Sequence, residues 1–170
     1  MTEPGAIVDP TCAHCGQPAP IGQRFCCAGC DAAFGTIQTL GLGRYYSQRV
    51  LDATVRAPRP DAAEVADFGR YVETFGDGTH SLSLAVDGLQ CGACVWLIES
   101  VLAREAAVVK ARVNMTTRRL RLSWQGSESD AARILGPVVG LGYRLVPFDA
   151  KALSSAQDSR GRELTRAMAV

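Results

Sequence analysis

The sequence predicts an α+β fold in which strands and helices follow the order β-α-β-β-α-β between residues 79 and 150. Three observations predict it. Apolar residues alternate with polar ones in four segments, which is the period of a half-buried strand. They recur every three or four residues in two other segments, which is the period of an amphipathic helix. Glycines such as Gly88 and Gly142 mark the breaks between segments.

The strand segments carry the alternation. Between residues 82 and 86, two leucines and a valine are separated by serine and alanine, so one face of this strand is expected to be buried. The same alternation predicts strands around residues 109–113 and 120–124, and a last short strand is predicted at 144–148. These four segments account for every strand of the predicted fold.

The two helix segments lie between the strands. The first places Val95, Ile98 and Leu102 on one face. The second begins at Asp130 and is closed by Gly142. The resulting order is the split-βαβ, or ferredoxin-like, arrangement.

Two further helices are predicted upstream of this domain. Residues 33–40 show helical spacing of apolar residues, and Gly41 suits the C-terminal cap. Residues 61–64 resemble a capping box after Pro60, and four apolar residues between 65 and 75 would then share one helix face.

Composition narrows the functional class. The chain has 170 residues, 47% hydrophobic and 21% charged, which is typical of a soluble globular protein with one domain or two small ones. A formal net charge of +1 argues against nucleic-acid binding. No apolar run approaches the roughly 20 residues that cross a bilayer, and the N-terminus does not resemble a secretory signal. The sequence therefore predicts a chain kept in a reducing compartment.

Cysteine is the most informative residue type. Five of the seven cysteines lie between Cys12 and Cys30, and the other two are Cys91 and Cys94, called the cysteine pair below. Structural disulfides are rare in reducing compartments. The cysteines are therefore expected to be metal ligands or redox groups.

The cysteine pair is predicted to bind Cu(I), because thiolates are soft ligands and two of them suit a metal that tolerates low coordination. Gly92 lets the loop curl, and the start of the predicted helix is expected to lower the thiol pKa values. Position 90 is glutamine and not a carboxylate, which favours copper over zinc. A thioredoxin-like redox dithiol and two buried structural cysteines are the alternatives.

Longer motifs support the metal-binding interpretation. Residues 88–99 read GLQCGACVWLIE, residues 113–119 read VNMTTRR, and Gly142-Tyr143 follows. Together they resemble the heavy-metal-associated domain of copper-transporting P-type ATPases, more narrowly those of the FixI/CcoI type. The cysteines of CAHCG at residue 12 and FCCAGC at residue 25, with Tyr45, Tyr46 and Arg49, resemble the additional N-terminal metal-binding module of that group.

The resemblance implies a cytoplasmic N-terminal region of a longer copper translocase, on the inner face of the cell membrane, that exchanges Cu(I) with a copper chaperone and with the rest of its own ATPase. This chain has no aspartyl-phosphorylation motif, so it is not expected to be an enzyme by itself. It is expected to be a monomer in isolation, and its end at Val170 is interpreted as a cut ahead of the first membrane helix.

The resemblance also implies roles for two residues near the cysteine pair. Leu89 is expected to replace a core methionine, and Tyr143 either shields the metal or is a core aromatic residue.

The N-terminal cysteines predict a second metal site in a small zinc-ribbon or treble-clef-like module. Four of them could complete the tetrahedral shell of structural zinc, and a second copper site is the alternative. We call Cys12, Cys15, Cys26 and Cys30 the four-cysteine cluster. Cys27 could replace Cys26 as a ligand or serve copper exchange. Phe25 and Phe34 are expected to pack around the site.

The predicted organisation has five segments: a polar tail at 1–10, the cysteine-rich module at 11–50, a linker with a short helix at 51–78, the ferredoxin-like domain at 79–150 and a helical connector at 151–170.

Outside the cysteines, His14 and His80 are expected at the surface, and Arg118, Arg119 and Arg121 on a solvated strand face. Alternative functions are a free-standing metallochaperone or metal sensor, and a thiol oxidoreductase.

Overall fold

The computed structural model describes residues 11–60 and 67–147. The predicted polar tail, the capping box at 61–64, Phe148 and the C-terminal connector lie outside these residues. The helices are α1 (Ala28–Thr39), α2 (Tyr45–Gln48), α3 (Gly92–Leu102) and α4 (Asp130–Gly140), with a short 3-10 helix at Gly69–Tyr71. The strands are β1 (Glu73–Thr74), β2 (Thr79–Asp87), β3 (Val108–Asn114), β4 (Arg119–Gln125) and β5 (Arg144–Pro147).

The five strands form one antiparallel sheet with β2 near its centre. Strand β4 pairs with one edge of β2, and β3 pairs with the far edge of β4. Strands β5 and β1 share the other edge of β2, β5 along Leu84 to Asp87 and β1 along His80 and Ser81. Leaving β1 aside, the order β5-β2-β4-β3 confirms the predicted ferredoxin-like fold.

The core lies between one face of the sheet and the helices α3 and α4. The predicted alternation places Leu82 opposite Leu122 in the β2–β4 register, and both are fully buried. Helix α3 buries Leu97 and Ile98 against this face. The opposite face of β4 presents Arg119 and Arg121 to solvent, as expected.

The cysteine-rich module shares this core. Ile37 of α1 and Tyr45 of α2 are both completely buried and belong to the same apolar cluster as the sheet residues. The guanidinium of Arg44 lies 4.3 Å from the ring centroid of Trp96 in α3, which is cation–π geometry. The two modules are therefore packed against each other.

The helix predicted over residues 65–75 is wrong in its described part. A 3-10 helix ends at Tyr71, and β1 then pairs with β2. The physical reason is that β2 is longer than β5. Strand β5 pairs with β2 only from Leu84 to Asp87, so the backbone groups of β2 at His80 and Ser81 are available to pair with β1. Phe68 is buried but Phe75 is exposed, so the predicted apolar face does not exist.

His80 is also placed differently from the prediction. The residue is only 8% exposed, and its ring lies against Trp124. Its ring nitrogens contact the Thr74 hydroxyl at 3.0 Å and the Gly126 carbonyl at 3.1 Å. The side chain is buried because β1 covers it, a contact that the predicted helix would not have made.

Among the described residues, no helix combines the length and the apolar character needed to span a bilayer.

The burial of α1 leads to a prediction with a matched control. Ile37→Ala should lower the free energy of unfolding by about 2–5 kcal/mol, because a fully buried side chain is removed. Ile21 is 92% exposed, and Ile21→Ala should stay within about 0.5 kcal/mol. Urea denaturation measures both values. Equal effects of the two substitutions would show that α1 does not belong to the core.

Candidate metal centres

The four-cysteine cluster is assembled by a turn and a helix start. Cys12 and Cys15 lie on a tight turn closed by the Gly16 amide, which donates to the Cys12 carbonyl at 2.9 Å. Cys26 lies just before α1, and Cys30 lies in the first turn of that helix. The predicted ligands, distant in sequence, therefore meet at one point.

The sulfur geometry fits a tetrahedral metal. The four sulfur atoms all lie within 4.8 Å of one another. Cys26 Sγ is 3.5 Å from Cys15 Sγ and 3.6 Å from Cys30 Sγ. Four sulfurs bonded to zinc at about 2.3 Å would be roughly 3.8 Å apart. Small adjustments of the side chains would therefore suffice to hold zinc.

The thiols of the cluster oppose one another's ionisation. Burial disfavours the Cys12 thiolate, but backbone N–H groups, those of Cys15 and Cys26 foremost, lower its pKa to about 6. Burial and the neighbouring sulfurs raise the pKa of Cys26 to about 12 and raise that of Cys30 further. A full set of thiolates therefore needs a cation among them.

Cys27 stands beside the cluster. It is the N-cap of α1, and its sulfur lies 3.9 Å from Cys26 Sγ, but it is outside the set of four mutually close sulfurs. Its pKa is lowered: burial opposes ionisation, but the Cys30 backbone N–H and other donors, including the Arg59 side chain, outweigh it. The geometry favours Cys26 over Cys27 as the fourth ligand.

Of the two aromatic residues predicted to pack around the cluster, Phe25 packs directly against its buried cysteines. The rings of Phe25 and Phe34 are 5.2 Å apart, and Phe34 contacts the ring of Tyr46 at 4.6 Å. The Arg24 guanidinium covers Phe34 at 4.3 Å. The rings of Phe25, Phe34 and Tyr46 therefore form a continuous row that begins at the cluster.

His14 is buried, which contradicts the prediction of a surface position. It is 1% exposed, and its ring bridges the two modules. Nε2 lies 3.0 Å from the Leu141 carbonyl, which can only accept, so Nε2 carries the proton. Burial lowers the pKa of His14, so Nδ1 is unprotonated and accepts from the Tyr46 hydroxyl at 2.8 Å. The ring position is fixed by these two contacts.

The cysteine pair lies where β2 leads into α3. Cys91 is the N-cap of α3, with extended backbone angles, and its carbonyl accepts from the Cys94 amide at 3.0 Å. Gly92 is the first helical residue, and nothing lies within 4 Å of the position a Cβ would take there. Cys94 is buried, whereas Cys91 is half-buried. The pair therefore has one buried and one partly exposed cysteine.

The expected effect on thiol acidity is present at Cys91. Burial opposes ionisation, but backbone N–H groups of Val50, Cys94 and Ala93 outweigh it and lower the pKa of Cys91 from its ordinary value. Two of these groups belong to the first turn of α3, so the helix start contributes as predicted. The third belongs to a distant segment, which the sequence did not indicate.

Aromatic and apolar residues form the floor beneath the pair. Leu89 is fully buried, as its predicted core role requires. Tyr143 is 1% exposed, and its hydroxyl lies 3.4 Å from that of Tyr45. The Tyr45 hydroxyl is 3.9 Å from Cys94 Sγ. Burial raises the pKa of Tyr45 to about 12, so both phenols stay neutral beside the thiol.

Sequence reasoning assigned no role to Tyr45, Tyr46 and Arg49, although it singled them out as a motif. Arg49 donates to the carbonyls of Ala13, at 2.8 Å, and His14. Tyr45 reaches Cys94, and Tyr46 reaches His14. The spacing of two tyrosines and an arginine was the available signal, but their partners become visible only in the folded chain.

Two family models match the chain. Residues 11–74 match the "Putative metal-binding domain of cation transport ATPase", and residues 83–144 match the "Heavy-metal-associated domain". Both cysteine sites fall inside these ranges.

Curated relatives cover the same region. The nitrogen fixation protein FixI of Bradyrhizobium diazoefficiens is 36% identical over 104 residues, which is 61% of this chain and 14% of the relative. The copper-exporting P-type ATPase of Staphylococcus aureus (strain JH9) is 29% identical over 106 residues, 61% of this chain and 13% of the relative. The chain therefore spans only about a seventh of the length of these proteins.

A solved structure is also similar. The N-terminal domain of a potential copper-translocating P-type ATPase from Bacillus subtilis, in the Cu(I)-loaded state, is 26% identical with a TM-score of 0.38. The match covers 41% of this chain and 86% of that one.

The asymmetry of the pair predicts a difference in reactivity. In the copper-free chain, iodoacetamide should modify Cys91 faster than Cys94, and the Cys91 rate should reach half its maximum at a lower pH in the folded chain than in urea, because folding lowers its pKa. Peptide mapping by mass spectrometry at a series of pH values measures both rates. In urea the two rates should converge. Equal rates in the folded chain would contradict the geometry.

Proposed function

We propose that this chain is the Cu(I)-binding N-terminal region of a copper-transporting P-type ATPase, because residues 83–144 match the heavy-metal-associated domain and residues 11–74 match a metal-binding domain of cation transport ATPases. Its role is to regulate the pump or deliver copper to it. The observation that carries the proposal is the cysteine pair at the start of α3, with Cys94 buried and with Cys91 half-buried and lowered in pKa.

Copper is favoured over zinc by the groups around the pair. The nearest acidic residue in sequence, Asp87, is 2.9 Å from Arg144 and so is engaged elsewhere. Asp52 lies near the pair through its backbone, but its carboxylate accepts from the Thr54 amide and hydroxyl. Gln90 uses its side chain to bind backbone groups. Two thiolates with no third anionic ligand suit Cu(I).

The chemistry of delivery is thiolate exchange. An incoming thiolate forms a bond to copper as the bond to one cysteine breaks, and the copper remains Cu(I). The half-buried Cys91 is the sulfur that leaves first, because Cys94 is covered by Tyr45 and Tyr143. The neutral phenols add no charge to the site.

The four-cysteine cluster is proposed to hold Zn(II) as a structural metal. Its sulfurs already lie at near-tetrahedral distances, and three of the four side chains are buried. Zinc would supply the positive charge that lets Cys26 and Cys30 ionise. A closed shell of four thiolates is suited to holding a fold together and poorly suited to releasing metal.

The names of the relatives, and the small part of their length that this chain covers, support the proposal that it is part of a longer protein. We propose that the chain acts on the cytoplasmic face of the cell membrane within an ATP-driven Cu(I) translocase, whose membrane and ATP-binding parts are outside residues 1–170. A copper chaperone is its proposed donor. By itself the chain is proposed to be a monomer without enzymatic activity.

Copper binding is tested by titrating the zinc-saturated chain with Cu(I) under anaerobic, reducing conditions. Cys91→Ser/Cys94→Ser should bind one Cu(I) fewer per chain, because both ligands are lost. Cys27→Ser is the matched control and should keep the full copper stoichiometry. The assignment fails if the double variant binds as much copper as the unmodified chain.

Zinc binding is tested by native mass spectrometry and thermal unfolding. The purified chain should carry one zinc, and Cys12→Ser/Cys15→Ser should lose it and unfold at lower temperature. Cys27→Ser should retain the zinc, because its sulfur is outside the set of four. Copper in place of zinc at the cluster, or loss of metal from Cys27→Ser alone, would contradict the proposed ligand set.

A further inference from the structure

Residues 49–60, called the strap, connect the two metal centres. The strap starts at Arg49, whose guanidinium holds the carbonyls of Ala13 and His14 on the turn of the four-cysteine cluster. Leu51 lies directly on Gly16 of the same turn, where any added methyl group would overlap it. The first end of the strap is therefore fixed to the cluster.

The far end of the strap returns to the same module. The Arg59 guanidinium lies beside the Cys27 thiol and helps to lower its pKa. The Pro60 carbonyl packs on Gly29 of α1, where a Cβ would lie 2.7 Å from the oxygen. Ala57 packs against the cysteines of the cluster. Both ends of the strap thus depend on the turn and helix start that the cluster holds together.

Between these ends the strap crosses the cysteine pair. The Val50 amide donates to Cys91 Sγ at 3.3 Å. Gln90 accepts from the Asp52 amide and donates to the Arg56 carbonyl, both at 3.2 Å. The strap is therefore tied directly to the more accessible sulfur of the pair and to the residue before it.

A further contact ties the strap to the loop after α4. The Arg56 guanidinium donates to the Gly142 carbonyl at 2.7 Å. Gly142 has a positive φ of 98°, and the Pro58 backbone occupies the space of a side chain there. The strap is thus held on both sides of the pair.

We propose that the strap is a gate on copper exchange, kept closed over Cys91 by the metal-loaded four-cysteine cluster. This inference rests on the proposed function of the pair. Exchange requires a Cu–S bond to an incoming thiolate to form as the Cu–Sγ bond of Cys91 breaks, and Cys94 is too buried to be approached first. Displacing the strap exposes that side of Cys91, so loss of metal from the cluster speeds copper release.

The coupling is tested without copper by amide hydrogen exchange of the zinc-loaded chain and the chain stripped by a chelator. The Val50 and Asp52 amides should exchange about tenfold faster after stripping. Amides paired between β2 and β4 are the internal control and should keep their protection. Unchanged rates at Val50 and Asp52 would overturn the coupling, whether or not the pair binds copper.

The gate is tested by the rate at which a Cu(I) chelator removes copper from the zinc-saturated chain. Val50→Pro and Val50→Ala lose the same side chain, but only proline removes the N–H that faces Cys91 Sγ. Val50→Pro should release copper about fivefold faster than Val50→Ala, the effect of one ordinary hydrogen bond. Equal rates would overturn the gate.

A second variant guards against a folding defect in Val50→Pro. Gln90→Ala removes both tethers to the strap and leaves the backbone unconstrained. It should also accelerate copper release, and a rate equal to that of the unmodified chain would overturn the gate.

Stoichiometric copper binding is measured first in every variant. Its absence from the unmodified chain would refute the proposed function, while the amide-exchange result would still decide the coupling.

Discussion

The arrangement of the two modules depends on the packing of Tyr45, a residue of the cysteine-rich module, in the core of the sheet domain. The cysteine-rich module is too short to build a large core, since its own buried cluster consists of three cysteines. Placing Tyr45 and Ile37 in the core of the sheet gives the module the apolar burial that it lacks. The same tyrosine then sets its hydroxyl 3.9 Å from Cys94 Sγ, so the packing of the modules also builds the floor of the metal site.

The two cysteine sites use the same side chain for opposite tasks. The four sulfurs of the cluster lie close together, and the raised pKa values of Cys26 and Cys30 mean that these two thiols ionise only with a cation among them. The cysteine pair has only two sulfurs, and backbone N–H groups lower the pKa of Cys91. A complete shell of four ligands suits a structural metal, whereas two ligands with an available thiolate suit a metal that is transferred to a partner.

The periodicity of the sequence predicted the strands and helices of the sheet domain well, and in β4 buried and exposed residues alternate as expected. In β3 the alternation is interrupted, because an irregularity between Val108 and Lys110 leaves Val109 61% exposed. The periodicity failed at residues 65–75, where a helical spacing of apolar residues did not decide the structure of the described part. Residues 73 and 74 became a strand because β2 offered unpaired backbone groups, which no local pattern reveals. His14 was misplaced for a similar reason, since its partners Tyr46 and Leu141 are far away in the sequence.

The sequence by itself determined the fold class, the number of cysteine sites and the identity of their candidate ligands, because hydrophobic period and cysteine spacing are local properties. Only the tertiary structure decided that Cys26 and not Cys27 joins the four close sulfurs, and that Cys91 lies beneath the Val50 amide. Both outcomes depend on the position of a segment that is distant in sequence. That position is set by packing and backbone hydrogen bonds between distant segments, which a local sequence pattern does not specify.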